Sequence, residues 1–277
     1  MKKIILPIDF SISSEHAAKL ASKIARISKS ELHVIHMIEF ASDSSFFNSE
    51  SNNSTPQNAF FIKKTKETLV NFKKKFFLKN EKLFTSILFK KPSDGILNYN
   101  KKINADLIVM GSNSHSELEK IIIGSNTNKI IQTSKTPVLV VKKNEDKFTL
   151  KNLVFASDFN EEKIKNEPLR KLIDLAQRFK ATFHLLKINT PNKFETSEIS
   201  KKKMRSFVKK YKLTKFTINA ENDLTIAEGI VNFTKRVSGD IISLESYGRG
   251  ALSHLINKSI TKYVSDTALQ PTIIFKT

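Results

Sequence analysis

The chain has no cysteine and no tryptophan in 277 residues. Without cysteine there is no disulfide framework, no thiolate nucleophile and no Cys-ligated metal site. No His-x-x-x-His spacing occurs among the six histidines. No apolar run approaches the roughly 18 residues of a membrane-spanning helix. The opening MKKIILPIDF meets Pro7 and Asp9 before an apolar region long enough for a signal peptide. A cytoplasmic location is therefore expected, with no membrane partner. Also missing are a Gly-x-x-x-x-Gly-Lys-Ser/Thr loop and a Gly-x-Ser-x-Gly elbow, so no hydrolytic machinery is recognised.

Acidic residues are scarce, and net charge is +20. That charge raises nucleic acid as a partner. It is spread evenly, however: residues 1–150 carry 24 Lys+Arg and 14 Asp+Glu, and residues 151–277 carry 23 and 13, so each part is net +10. With lysine dominant and arginine rare, a diffuse solvated surface is the better reading, and nucleic acid is an unlikely partner.

What is present is a repeat. KIILPIDFS (3–11) matches NLVFASDFN (152–160), with Asp9 and Asp158 at an offset of 149. ELHVIHMI (31–38) matches TFHLLKI (182–188), with His33 and His184 at an offset of 151. TPVLVVK (136–142) matches QPTIIFK (270–276), with Pro137 and Pro271 at an offset of 134. Three landmarks in one order predict a duplicated domain, 1–143 and 151–277, joined by the charged linker KNEDKFTL (143–150).

Each half alternates strand and helix patterns. In the first, strands are predicted at 3–8, 32–38, 83–89, 106–110 and 138–142. Helices are predicted around 17–27, 56–79, 92–102 and 125–134. The second half repeats strands near 152–157, 182–188, 214–219, 240–244 and 271–275. Apolar strands between helices imply a parallel sheet covered on both faces. The fold class is α/β, with two tandem five-stranded Rossmann-like domains. The lysine-rich helix places Phe61, Leu69, Phe72 and Phe76 near one face and reads as an amphipathic surface helix.

In such sheets ligands bind beyond the carboxyl ends of the strands. Pro7–Asp9, Met37–Glu39 and Gly111 end strands there, and Gly124–Ser125 opens a helix. A phosphate near the main chain needs small residues with access to positive φ, and gains from free N–H groups at a helix N-terminus. Gly111, Gly124 and Ser125 meet these demands, and Asn126 and Thr127 add donors. The plainer alternative is that the glycines only permit turns and Ser125 is an N-cap. His115 reads as a solvated loop side chain.

The run DLIVMGSNSHSELEKIIIGSNTNKIIQTSKTPVLVV resembles the C-terminal half of a universal stress protein domain. That family carries Gly-x-x-Gly, nine residues, then Gly-Ser/Thr; here Gly111-Ser112-Asn113-Ser114 is followed after nine residues by Gly124-Ser125. ILPIDFS resembles the family's first strand and acidic residue. The resemblance covers the chain as a tandem pair. It implies an adenine nucleotide alpha hydrolase-like fold and an internal pseudo-dimer paired through the last strands. Some family members bind ATP and others do not. In a binder, Pro7, Asp9 and the backbone near Met37 would hold adenine and ribose, with Met110 flanking. Gly111, Ser114, Gly124, Ser125 and Asn126 would hold the phosphates. Ser114 departs from the second glycine. ATP hydrolysis would be slow or absent.

In the second half Glu245 and Lys258 replace the first and third glycines, while Asp158 and Gly248 remain. That site is expected to be degenerate. The leading expectation is a stress-linked regulator binding ATP in its N-terminal half. The alternatives are a nucleotide-free interaction module and, less favoured, a nucleic-acid binder. Homo-oligomerisation is left open.

Overall fold

A computed structural model describes residues 1–39, 56–112, 124–142, 148–160, 166–246 and 258–276. The first half comprises β1 (Lys3–Ile8), α1 (Ile12–Ser28), β2 (Glu31–Ile38), α2 (Pro56–Phe76), β3 (Leu83–Phe89), α3 (Pro92–Ile103), β4 (Leu107–Gly111), α4 (Ser125–Thr133) and β5 (Val138–Val141). The second comprises β6 (Asn152–Ala156), α5 (Asn166–Arg178), β7 (Thr182–Asn189), α6 (Ser197–Tyr211), β8 (Phe216–Asn222), α7 (Ile226–Arg236), β9 (Ile241–Ser246), α8 (Lys258–Thr267) and β10 (Thr272–Lys276).

The ten strands form one sheet in the order β3-β2-β1-β4-β5-β10-β9-β6-β7-β8. Within each half all pairings are parallel, and each half has the same internal order. The halves meet where β10 runs antiparallel to β5, with Ile273 opposite Leu139. Strand carboxyl ends of the two halves therefore point to opposite edges of the sheet.

Burial explains the layers. Helices α1, α2, α5 and α6 share one apolar cluster that runs across both halves, from Ile4 and Leu20 to Phe155, Leu172 and Phe207. The opposite face is divided: α3 and α4 cover one cluster, α7 and α8 another. Crossing contacts include Met1's ammonium on Asp174 at 3.3 Å and Lys171 on Asp106 at 2.8 Å. Among the described residues no helix is long and apolar enough to cross a membrane.

Several expectations need correction. The end of the expected linker is core: Phe148 and Leu150 are buried, and the Phe148 carbonyl accepts from Lys23. Residues 143–147 lie outside the described residues. Asp106 precedes its strand because its carboxylate accepts from the backbone N–H groups of Lys2 and Lys3. Helix α2 ends at Phe76, and its buried face is Thr65, Leu69 and Phe72, while Phe61 is half exposed. The repeated histidines are structural: His33 bonds Tyr99 at 3.0 Å and His184 bonds Thr217 at 2.8 Å. Burial pushes both imidazoles below their ordinary value, the carboxylate of Glu31 opposing this at His33.

Candidate functional site

The strand order reverses between β1 and β4, and a cleft opens beyond their carboxyl ends. The turn from β1 to α1 supplies its first wall and centres on Phe10, which has φ 63°, a left-handed conformation that a bulky residue rarely takes. The ring offsets that strain by packing on His36 and Phe72. Phe159 repeats the device at φ 53° against Phe155 and Phe207. The Asp-Phe repeat thus encodes a turn.

That turn lets Ser11 cap α1 and ties Asp9 into a knot. Asp9 Oδ1 accepts from the Ser11 N–H at 3.0 Å and from the Ser11 and Ser14 hydroxyls at 2.5 Å each. The Asp9 N–H donates back to Ser14 Oγ at 3.0 Å. Burial disfavours the charge, but the bonds from Ser11 and Ser14 outweigh it and hold the carboxyl below its ordinary 3.8. Among the described residues all these bonds end on Oδ1. Because the folded-state value is depressed, the knot's contribution is complete above about pH 4 and fades as pH falls through the folded value. Acid unfolding of Asp9→Asn should lack this component, measured as a shallower loss of stability below pH 4.

The second wall is α4. Gly124 is its N-cap, with no side-chain cap bond, and Ser125 is its first helical residue rather than the cap. The N–H groups of Ser125, Asn126 and Thr127 have no acceptor within the helix. Thr127 Oγ1 reaches the Gly111 carbonyl at 3.4 Å. Apolar side chains close the remaining sides: Met37, Met110, Pro92 and Ile96. Gly95 lets α3 approach, since a Cβ there would stand 3.0 Å from Met37 Cγ.

Eight of the nine expected residues line this one cleft: Pro7, Asp9, Met37, Met110, Gly111, Gly124, Ser125 and Asn126. Ser114 lies outside the described residues, as do His115 and Gly248. The reason given for the glycines changes. Among the described residues no glycine has positive φ, and Gly124 sits at φ −58°, ψ 152°. Gly111 is required by packing instead: a Cβ there would lie 2.4 Å from the Ser13 carbonyl oxygen. Sequence reasoning missed Ser11, Ser13, Ser14, Pro92 and Ile96 as cleft residues. A signal existed, because PSDGI (92–96) recurs as IAEGI (226–230) at the same offset of 134.

The second half is the internal control. Its equivalent cleft has about 20 Å³ of free volume, against about 140 Å³ in the first. Ile188 stands where the first half has Met37, and Ile226 where it has Pro92. Glu245, in the place of Gly111, is fully buried and accepts from Ser157 Oγ at 2.5 Å. Burial, reinforced by the charge of Asp158 and opposed by the Ser157 bond, pushes its carboxyl up to about 8. Lys187 is committed to Glu195, which also takes Lys203 and Ser200. Partial burial opposes the Glu195 charge, but these partners hold it down at about 2. Among the described residues no group of three or more His, Asp or Glu side chains could hold a metal ion.

Residues 1–142 match the model of the Universal stress protein family. Universal stress protein MJ0531 of Methanocaldococcus jannaschii is 34% identical over 143 residues, covering 51% of this chain and 82% of that protein. Universal stress protein MJ0577 of the same organism is 28% identical over 160 residues, covering 51% of this chain and 95% of that protein. The crystal structure of a universal stress protein from Archaeoglobus fulgidus superposes with a TM-score of 0.76 at 18% identity. It covers 99% of this chain and 98% of the other, a likeness of fold across both halves.

Proposed function

The chain belongs to the universal stress protein family, and on that premise we propose that its N-terminal half binds one adenine nucleotide, ATP being the first candidate. The observation that carries this is the convergence of eight expected residues on one cleft with two chemically different ends. Met37, Met110, Pro92 and Ile96 offer an apolar slot of the kind that takes a planar base. The Asp9 carboxylate stands at the cleft to accept from ribose or base. Gly124, Ser125 and Asn126 present unpaired N–H groups and the positive end of a helix to phosphate. Ser114 would join them from the intervening loop.

The units of this reading are 1–143, which holds the site, and 151–277, which does not. They act as an internal pseudo-dimer through β5 and β10, and the pair serves as a stress-linked regulator without fast ATP hydrolysis. A second reading has its own observation. Gly111 is fully explained by the Ser13 contact, which a nucleotide-free interaction module would also need.

Thermal unfolding separates the two. ATP at about 100 times its Kd stabilises by roughly 2.7 kcal/mol, which for a chain of this size raises Tm by roughly 5–10 °C. Gly124→Lys, which sets the second half's residue at the cap, should remove that rise. A Tm indifferent to millimolar ATP in the unmodified chain favours the interaction module.

A further inference from the structure

Lys142 and Lys276 occupy the same place in the repeat, at the ends of TPVLVVK and QPTIIFK. Both reach across the seam. Lys142 Nζ donates to the carbonyl of Ala268, just past α8, and Lys276 Nζ donates to the carbonyl of Gln132 in the last turn of α4. A cation there satisfies a carbonyl that the helix leaves unpaired and opposes the negative end of its dipole. The exchange is reciprocal, but its consequences are not, because α4 is the helix whose first turn lines the open cleft.

Strand β10 grips α4 a second time. Ile274 is buried and packs in the cluster of Ile130 and Ile131, the same cluster that holds the cleft residues Ile96 and Met110. One residue of the other half thus supports the cluster under α4, and another holds its C-terminus. The helix has nine residues and is about 13 Å long. Over that length it moves as a rod, so a shift at Gln132 is felt at Ser125.

We infer that Lys276 is a positioning residue for the N-terminal cleft, holding α4 at the height where its first-turn N–H groups meet the phosphates. This rests on the nucleotide reading above. It gives the second half a task that its own filled cleft does not perform.

The experiment compares Lys276→Met, Lys276→Arg and Lys142→Met in the full chain. ATP is titrated calorimetrically, and amide hydrogen exchange of α4 is followed without nucleotide. Lys276→Met should weaken ATP roughly two- to fivefold, the size of a helix-terminus charge effect, and speed exchange in α4. Lys276→Arg keeps the cation and should restore both. Lys142→Met, which releases α8 instead, should change neither. Wild-type affinity and exchange in Lys276→Met would overturn the inference, as would equal weakening by Lys142→Met. If the unmodified chain binds no ATP, the nucleotide reading fails, and exchange in α4 still decides whether Lys276 holds that helix.

Discussion

Replacing Gly111 with alanine is expected to destabilise the chain by about 3 kcal/mol, at the upper end of ordinary overpacking, and to abolish nucleotide binding. The added Cβ would meet three Ser13 atoms at 2.4, 2.5 and 2.8 Å, two of them backbone. A flexible side chain could swing aside, but the first turn of a helix cannot. The start of α1 must therefore back away from β4. That turn carries Ser11 and Ser14, which hold Asp9 by its Oδ1. Moving it loosens the knot and carries Ser11, Ser13 and Asp9 out of the cleft wall together. At roughly 2–4 °C per kcal/mol the fall in Tm is roughly 6–12 °C. Thermal unfolding with and without ATP reads both effects. An unchanged Tm would mean that α1 does not seat on Gly111.

Glu245 should make the stability of the chain fall steeply with rising pH. Its folded-state value is raised to about 8 from an ordinary 4.5. Below 4.5 both folded and unfolded chains keep the proton, and this group gives no pH dependence. Between 4.5 and 8 the unfolded chain releases the proton while the folded chain retains it. Stability then drops with a slope approaching 1.4 kcal/mol per pH unit, roughly 4 kcal/mol in all between pH 5 and 8. Above 8 both states are ionised and the slope from this group vanishes. Glu245→Gln keeps the shape and cannot ionise. Glu245 Oε1 is buried with no hydrogen-bond partner among the described residues, so the amide gains no new bond from them and costs about 1–3 kcal/mol at pH 5. The expected result is two crossing curves: the variant is less stable at pH 5 and more stable at pH 8. Denaturant unfolding across that range measures it. Parallel curves would show that Glu245 is already ionised in the fold.

Much of this was legible in the residues. Apolar runs and turn residues act locally, so the ten strands lie close to their expected places, and the second half repeats the element succession of the first. The cleft was also legible, since Asp9, Gly111 and Gly124 each end or begin an element at the carboxyl edge of the sheet. What stayed hidden depends on contacts between distant segments. Gly111 is set by Ser13, nearly a hundred positions earlier, and the expected demand for positive φ was wrong because the contact is one of space. The end of the linker stayed hidden for the same reason: Phe148 and Leu150 look like a tail to a charged run until the shared core absorbs them. In the second half Glu245 announced its divergence. The filling of the slot by Ile188 and Ile226 did not, because an isoleucine at a strand end or helix start carries no mark of what it displaces.

Native mass spectrometry of the full chain with an ATP analogue that cannot be hydrolysed bears most directly on the division of labour between the halves. One nucleotide per chain is expected, lost in Gly111→Glu and retained in Glu245→Gln. Two nucleotides per chain, or none at millimolar analogue, would contradict it.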